Sequence, residues 1–383
     1  KGNKLQMCKP STKDFKVENT KKAIEVNVVD HKICPRYSGL SISGIKVAAS
    51  PEWLQNKLKA IGIAPTNNVV DITNYVLHEI GQPLHAFDAN KIEGNKIVVS
   101  CVKEKTKFTT LDEQVRELSA ADLMISDAKK PLCIAGIFGG LESGVTENTT
   151  DVFLESAYFN PVSVRKSAKR HNLNTDASFR FERGCDPNST MYALKRAALL
   201  IQEICGGKIS SEVIDIYPNP IAHFAVELTY AKMDSLIGDV IDRQIVKNIL
   251  IDLEIEISKE NTDGLSLLVP PFRADVQREV DVIEEILRIY GFNTIAIPLK
   301  LNTTIINNSE GVNPEQARNV ISDLLSSTGF NEAMNNSLTK DKYTALIHEL
   351  NIEQNITLLN PLSQDLNVMR QSLLFSGLEN IAY

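Results

Sequence analysis

Thr73, Asn74 and His85 fall within one largely apolar stretch, NNVVDITNYVLHEIGQPLHAFD at residues 67–88, and Glu155 within another, VFLESA. Taken singly, each has an ordinary explanation. Thr73 and Asn74 can bond the backbone of a buried helix, and His85 can be a core histidine. Grouped, with Gly81, Gln82 and Pro83 turning the chain just before His85, they form a candidate site. Glu155 is the odder residue, because a carboxylate ending an apolar strand costs several kcal/mol, roughly, when buried without a partner. It is either salt-bridged in a core or reading a ligand hydroxyl. Gly136, Gly139, Gly140 and Gly144 precede it, either letting a ligand approach the backbone closely or serving tight turns. The segment lacks the lysine and the strand-loop-helix setting of a phosphate loop.

No Ser-His-Asp arrangement or nucleophile-elbow sequence is present, and no cysteine pairs obviously with His85. No covalent nucleophile is therefore expected; should the reaction be a hydrolysis, the attacking group would be a positioned water. His85 would serve as general base or only orient the reacting group.

Two charged segments stand beside these. In RKSAKRHNLNTDASFRFERGCDP, six Lys or Arg between Arg165 and Arg183 face only Asp176 and Glu182. Arg165, Lys166, Lys169 and Arg170 are either a solvated helix face or a strip contacting phosphates, beside a site that includes Thr175 and Ala177. In PPFRADVQREVDVIEEILRIYGF, Asp281, Glu284, Glu285 and Arg288 share one helix face, with Asp275 just upstream. That face is either plainly exposed or a set of hard oxygen donors suited to Mg²⁺.

The elements that must position these groups follow from pattern and punctuation. Residues 1–35 read as the end of a preceding module and a linker, with a short strand at Ile24–Val29. A strand from Arg36 to Val47 opens a module reaching residue 206. Its first helix is expected to be capped by Ser50, with Pro51 at the first position and Trp53, Leu54, Leu58 and Ile61 facing inward. Strands are expected at Lys96–Val102, Leu132–Ile137 and Asp151–Leu154. One helix should be capped by Asn160–Pro161, and another should run from about Thr190 to Cys205. Residues 208–297 read as a small α+β module closed by the helix Arg278–Tyr290. From 298 to 383 a helix capped by Asn313–Pro314 leads into strand-like segments and a last helix. The whole is α+β and multidomain, with too little regular β-α alternation for a doubly wound sheet.

Composition narrows the class. The 383 residues carry a net charge of −7, so RNA contact must come from local basic patches, and DNA binding is not expected. The six cysteines (Cys8, Cys34, Cys101, Cys133, Cys185 and Cys205) are scattered without zinc-like spacing. They point to reduced thiols in a cytoplasmic protein. No apolar run reaches membrane-spanning length and nothing reads as a signal peptide. The sequence opens at Lys1 and stops at Tyr383 inside a helical pattern, so a piece of a longer chain is expected.

In order, VVDITNYVLHEIGQPLHAFD, GIFGGLESGV, NTDASFRFERGCDP, FRADVQREVDVIEEILRIYGF and NPLSQDLNVMRQSLL resemble bacterial phenylalanyl-tRNA synthetase β subunits, from about residue 24 to the end. The resemblance implies a tRNA-editing module of mixed α/β structure at 36–206 that hydrolyses Tyr-tRNA(Phe). It implies a module similar to small DNA-binding folds at 208–297, and from 298 the start of a catalytic-like, antiparallel-sheet domain of the class II synthetase type. The editing pocket carries over to Thr73, Asn74, His85, Gly139, Glu155, Thr175 and Ala177. Magnesium ligands at the contact with the α subunit carry over to Asp275, Asp281, Glu284 and Glu285. The implied partners are tRNA(Phe) and the α subunit in an α2β2 assembly. That assembly uses ATP, which this portion does not itself bind. Many relatives have an arginine where this chain has Ala64 in GIAP, so one polar contact, to the tRNA end or the pocket rim, is not expected here, and editing efficiency would depend on it. Other readings left by the sequence are a structural subunit with a decayed editing pocket and a free-standing deacylase.

Overall fold

The computed structural model describes residues 9–297, 311 and 313–383. Cys8, the start of the first expected segment, and residues 298–310 and 312 of the last lie outside the described residues. Two compact units divide at Ile297 and Pro298.

In the first unit, β1 (Glu25–Val28) and β2 (Arg36–Ser43) precede two helices, α1 (Glu52–Ala60) and α2 (Asn68–Ile80). Eight strands follow: β3 (Leu84–Asp88), β4 (Lys96–Cys101), β5 (Thr106–Thr109), β6 (Val115–Leu118), β7 (Leu123–Ser126), β8 (Pro131–Ile134), β9 (Phe138–Gly139) and β10 (Asp151–Tyr158). Next come α3 (Pro161–His171), α4 (Asp176–Phe181), α5 (Thr190–Cys205), β11 (Lys208–Ile209) and β12 (Ile214–Ile216). One sheet has the order β1-β4-β7-β8-β9. A second has β11-β2-β10-β3, with β12 also on β2.

Side chains alternate across a strand, and β10 shows the consequence. Phe153 and Ala157 enter a core shared with Ile97, Val99, Met124 and Ile125 of the first sheet. Val152 and Leu154 enter a core made with α1, α2 and α5. The module is thus sheet, sheet and helices in three layers. Glu155 shares its parity with Phe153, so it points into the layer between the sheets, where fully buried Phe87 and Tyr37 also lie.

The structure corrects several expectations. The strand expected at Ile24–Val29 is present as β1, but it belongs to the module that follows and not to a linker: it pairs in parallel with β4, and Ile24 and Val28 are core residues. Ser50 does not cap α1; its hydroxyl donates to buried Asp71 at 2.5 Å, and Pro51 occupies the cap. Trp53 and Ile61 are exposed, and only Leu54 and Leu58 turn inward, because one short helix has room for one narrow apolar stripe. The strand bearing Glu155 continues to Tyr158, so the carboxylate sits mid-strand and not at its end.

Still in the first unit, β13 (Phe224–Thr229), α6 (Tyr230–Ile237), α7 (Arg243–Asp252), β14 (Glu256–Glu260), β15 (Gly264–Val269) and α8 (Glu279–Tyr290) form a separate core. Its antiparallel sheet has the order β13-β15-β14. The second unit contains α9 (Pro314–Ser327), capped by the Asn313 side chain, the pair β16 (Leu338–Thr339) and β17 (Val368–Met369), and α10 (Leu374–Ala382). Among the described residues no helix is long and apolar enough to cross a membrane.

Candidate functional site

A cavity of about 480 Å³ opens beside the edge strands β3 and β9 and is flanked by α2 and α4. Helix α2 begins where the Asn67 side chain accepts hydrogen bonds from the Val69 and Val70 N–H groups at 3.1 and 3.0 Å. Its Val69, Ile72 and Val76 stripe packs into the helical core. The stripe Val70, Thr73, Asn74 and Leu77, at i, i+3, i+4 and i+7, lines the cavity. Thr73 Oγ1 donates to the Val70 carbonyl at 2.7 Å, which fixes the hydroxyl and leaves its lone pairs as acceptors.

Gly81, with φ at +87°, ends α2 in the left-handed conformation that favours glycine. Buried Gln82 anchors the turn, donating to the Ala157 carbonyl at 2.8 Å and accepting from Ser189 at 3.1 Å. The chain then enters β3, where His85 stands directly opposite Glu155 of β10.

Glu155 is 4% exposed, and its Oε2 is enclosed with no hydrogen-bond partner among the described residues. Burial raises its pKa to about 8, against an opposing pull from the Tyr37 phenol. His85 Nε2 is likewise enclosed and unpartnered. The His85 ring is half-buried, its open part facing the cavity, and burial lowers its pKa to about 4. At neutral pH both groups are therefore uncharged.

Gly139 forms the facing wall. A Cβ there would lie 2.9 Å from Leu111 Cδ1 and 3.1 Å from His85 Cε1, so a side chain would intrude on the imidazole. The neighbouring Gly140 N–H bonds the Leu132 carbonyl. On the edge away from β8 the Gly139 carbonyl accepts from the Leu111 N–H at 3.1 Å, and Leu111 also lines the cavity. Thr175 caps α4 by accepting from the Ser178 N–H at 3.1 Å, and it donates to the Ile137 carbonyl at 3.0 Å. This ties α4, with Ala177 in its first turn, to the β8–β9 hairpin. All seven residues expected to form this pocket line the one cavity.

Tyr37 gives no sequence signal. A tyrosine in an alternating strand reads as core, and only the β2–β10 register places it near Glu155. Ala64 is exposed two residues before Thr66, at the cavity wall.

Of the basic strip, Arg165, Lys166 and Lys169 are exposed on α3 and outside the cavity lining. Arg170 is instead engaged by the fully buried Asp122. Asp122 also accepts from Ser167 at 2.6 Å and meets His171 Nε2 at 2.7 Å. Burial would raise the Asp122 carboxyl, but these bonds hold it low. Arg180 in α4 reaches His78 Nδ1 at 3.1 Å and Asp176 at 3.2 Å, between the two helices that flank the cavity.

The acidic set does not gather. Arg278 pairs with Asp281 at 2.7 Å and holds its carboxyl down near a pKa of about 2. Arg288 and Arg273 reach Glu285 at 2.7 and 2.9 Å, while Asp275 and Glu284 are exposed. Among the described residues no three or more His, Cys, Asp or Glu converge to hold a metal. The donor chemistry suits Mg²⁺, but this arrangement does not, because arginines already neutralise two of the four carboxylates.

Three family models match successive parts of the chain. "B3/4 domain" covers residues 33–206, "tRNA synthetase B5 domain" 226–292 and "Phenylalanyl tRNA synthetase beta chain CLM domain" 297–383. A protein of Bacteroides thetaiotaomicron named "Phenylalanine--tRNA ligase beta subunit" is 53% identical over 382 residues, which is 100% of this chain and 47% of that one. One of the same name from Porphyromonas gingivalis is 52% identical over 361 residues, covering 94% of this chain and 44% of that one. A solved N-terminal fragment of the phenylalanyl-tRNA synthetase β subunit from Pyrococcus horikoshii aligns at 17% identity and a TM-score of 0.36. That alignment covers 72% of this chain and 77% of that one.

Proposed function

The chain belongs to the phenylalanine–tRNA ligase β-subunit family, spanning about half the length of the relatives it matches, and on that premise we propose that its cavity hydrolyses tyrosine wrongly esterified to tRNA(Phe). The observation that carries this reading is the facing pair Glu155 and His85, each with an enclosed, unpartnered polar atom, in a cavity otherwise walled by Leu77, Leu111, Ile137, Phe138 and Phe181. Apolar walls with a few convergent polar groups are what an aromatic ligand bearing one hydroxyl requires.

Tyrosine exceeds phenylalanine by that hydroxyl, and a hydrophobic synthetic site rejects such an addition only about a hundredfold. A second site must demand the oxygen. A phenol both donates and accepts. Its proton goes to a Glu155 oxygen, while the Gly139 N–H donates to the phenolic oxygen. With phenylalanine bound, both groups lose water and gain no partner, at roughly 1–3 kcal/mol for each.

The ester then lies toward α2, where Thr73, Asn74 and His85 orient it and the attacking water. An imidazole whose pKa is about 4 is a weak base near neutrality, so orientation fits His85 better than proton abstraction. Arg165, Lys166 and Lys169 contact tRNA phosphates. Phenylalanine activation with ATP belongs to an α subunit that assembles with this chain as α2β2. Magnesium at Asp275, Asp281, Glu284 and Glu285 requires that partner and a rearrangement of the arginines. No step of ester hydrolysis runs through the metal.

The test is deacylation of Tyr-tRNA(Phe) and Phe-tRNA(Phe) by the chain, with and without α. Faster tyrosine release supports the reading, and equal rates for the two esters reject it.

A further inference from the structure

Glu155 has a second neighbour on its sheet face. β2 and β10 pair so that Tyr37 stands opposite Ala157 and Gly39 opposite Glu155. Positions two apart on a strand share a face, so Tyr37 and Glu155 are diagonal neighbours, a separation that aromatic and long side chains span. Gly39 contributes no side chain between them; a Cβ there would fall 2.4 Å from Phe153 Cζ. Tyr37 is fully buried, and its hydroxyl, like Glu155 Oε2, is enclosed without a hydrogen-bond partner. Phenylalanine would fill the same space without burying an unpaired hydroxyl, so the oxygen needs a reason to be there. His85, opposite Glu155 on its other flank, is half-buried and completes a row of three polar groups across three adjacent strands.

We propose that Tyr37 is a positioning residue for Glu155, its phenol hydroxyl holding one carboxyl oxygen so that the other meets the ligand's hydroxyl. This rests on reading the cavity as a tyrosyl-ester site. No hydrogen bond joins the two residues in this structure; on our proposal one forms when the ligand is bound. The Tyr37 phenol favours the ionised carboxylate against the dominant effect of burial, and Glu155 adds to the burial that keeps the phenol protonated. The titratable groups around Glu155 are Tyr37 on β2, Cys34 just before that strand, Cys133 on β8 and His85 on β3.

The experiment uses Tyr37→Phe, Glu155→Gln and the double variant, each with the α subunit. The first readout is the ratio of kcat/KM for Tyr-tRNA(Phe) over Phe-tRNA(Phe) deacylation. The second is ¹³C-carboxyl NMR titration of Glu155, assigned by difference against Glu155→Gln. Tyr37→Phe is expected to lower the ratio by roughly tenfold, the worth of one buried hydrogen bond to the carboxyl in the ligand-bound state, and to move the Glu155 titration upward. The double variant should lose little more than Glu155→Gln alone. An unmoved titration overturns the proposal, whether or not the ratio falls, because a fall alone would be a packing effect. A wild-type chain with no tyrosine preference would reject the site reading, and the titration would still decide the coupling. Should Tyr37→Phe fail to fold, the ¹³Cζ resonance of Tyr37 in Glu155→Gln reads the same coupling from the other partner: a shift supports it, and no shift overturns it.

Discussion

Glu155 and His85 face each other in register across two antiparallel strands, each holding one enclosed polar atom with no partner among the described residues. Neither forms an ion pair among the described residues. An acid pushed up to about 8 and an imidazole pushed down to about 4 leave a neutral pair between those limits. That is the condition in which an incoming hydroxyl has most to offer.

The pair sets a pH signature on stability. Between about 4.5 and 8 the unfolded chain has lost the Glu155 proton that the folded chain keeps, so stability falls as pH rises through that window. His85 acts on the acid side. Between 6.5 and about 4 the unfolded chain takes up a proton that the folded chain refuses, so stability falls as pH drops. Glu155→Gln should flatten the first limb and His85→Gln the second, each by a few kcal/mol, roughly. Denaturant unfolding from pH 4 to 9 reads this directly. A Glu155→Gln curve parallel to wild type above pH 5 would contradict it.

Gly139→Ala should narrow the cavity without straining the backbone, because the added methyl meets Leu111 and His85 side-chain atoms. Overpacking of this kind costs about 1–3 kcal/mol, and less where the neighbour is a side-chain tip. Deacylation should fall by an order of magnitude or more, roughly, as the ring is displaced, while the chain stays folded. Wild-type activity in this variant would mean that the ligand does not pass Gly139.

Reversing Arg165, Lys166 and Lys169 to glutamate should weaken tRNA(Phe) binding. It should also make the dependence of log affinity on log salt shallower by about one unit per lost phosphate contact. Arg170→Gln should act through stability instead, since it removes a partner of buried Asp122. Filter binding across a salt series, with thermal unfolding as control, separates the two. Unchanged affinity in the triple variant makes that helix a solvated face.

With Asp281 and Glu285 neutralised by arginines, chelating divalent ions should leave the Tm of this chain alone within a degree or so. A ligand that binds only the folded state raises Tm with its concentration. A rise of several degrees in millimolar Mg²⁺ would mean that the arginines yield.

Much of this architecture is legible in local chemistry. Asn67 and Gly81 bracket α2, Asn160 and Pro161 open α3, and Gly206 closes α5 at Cys205, because caps and stops are short-range signals. The short strands β5, β6, β7 and β9 carry no such signal, since four residues or fewer show little periodicity and take their definition from pairing. The polarity of Glu155 marks it as unusual. Its place between two sheets, and Tyr37 beside it, depend on strand register, which brings together residues more than a hundred positions apart. The acidic face of α8 illustrates the reverse failure. Helical spacing places Asp281 and Glu285 on one face, but Arg273 and Arg278 approach from the chain just before the helix, where helical periodicity has no force.

The central claim is tested most directly by one ratio, the kcat/KM of this chain for Tyr-tRNA(Phe) over Phe-tRNA(Phe), measured for wild type and Glu155→Ala. Two groups satisfied by a single oxygen, at roughly 1–3 kcal/mol each, predict a wild-type preference of about thirtyfold to ten-thousandfold, collapsing toward parity in the variant. A tyrosine preference that survives the loss of Glu155 would contradict the account.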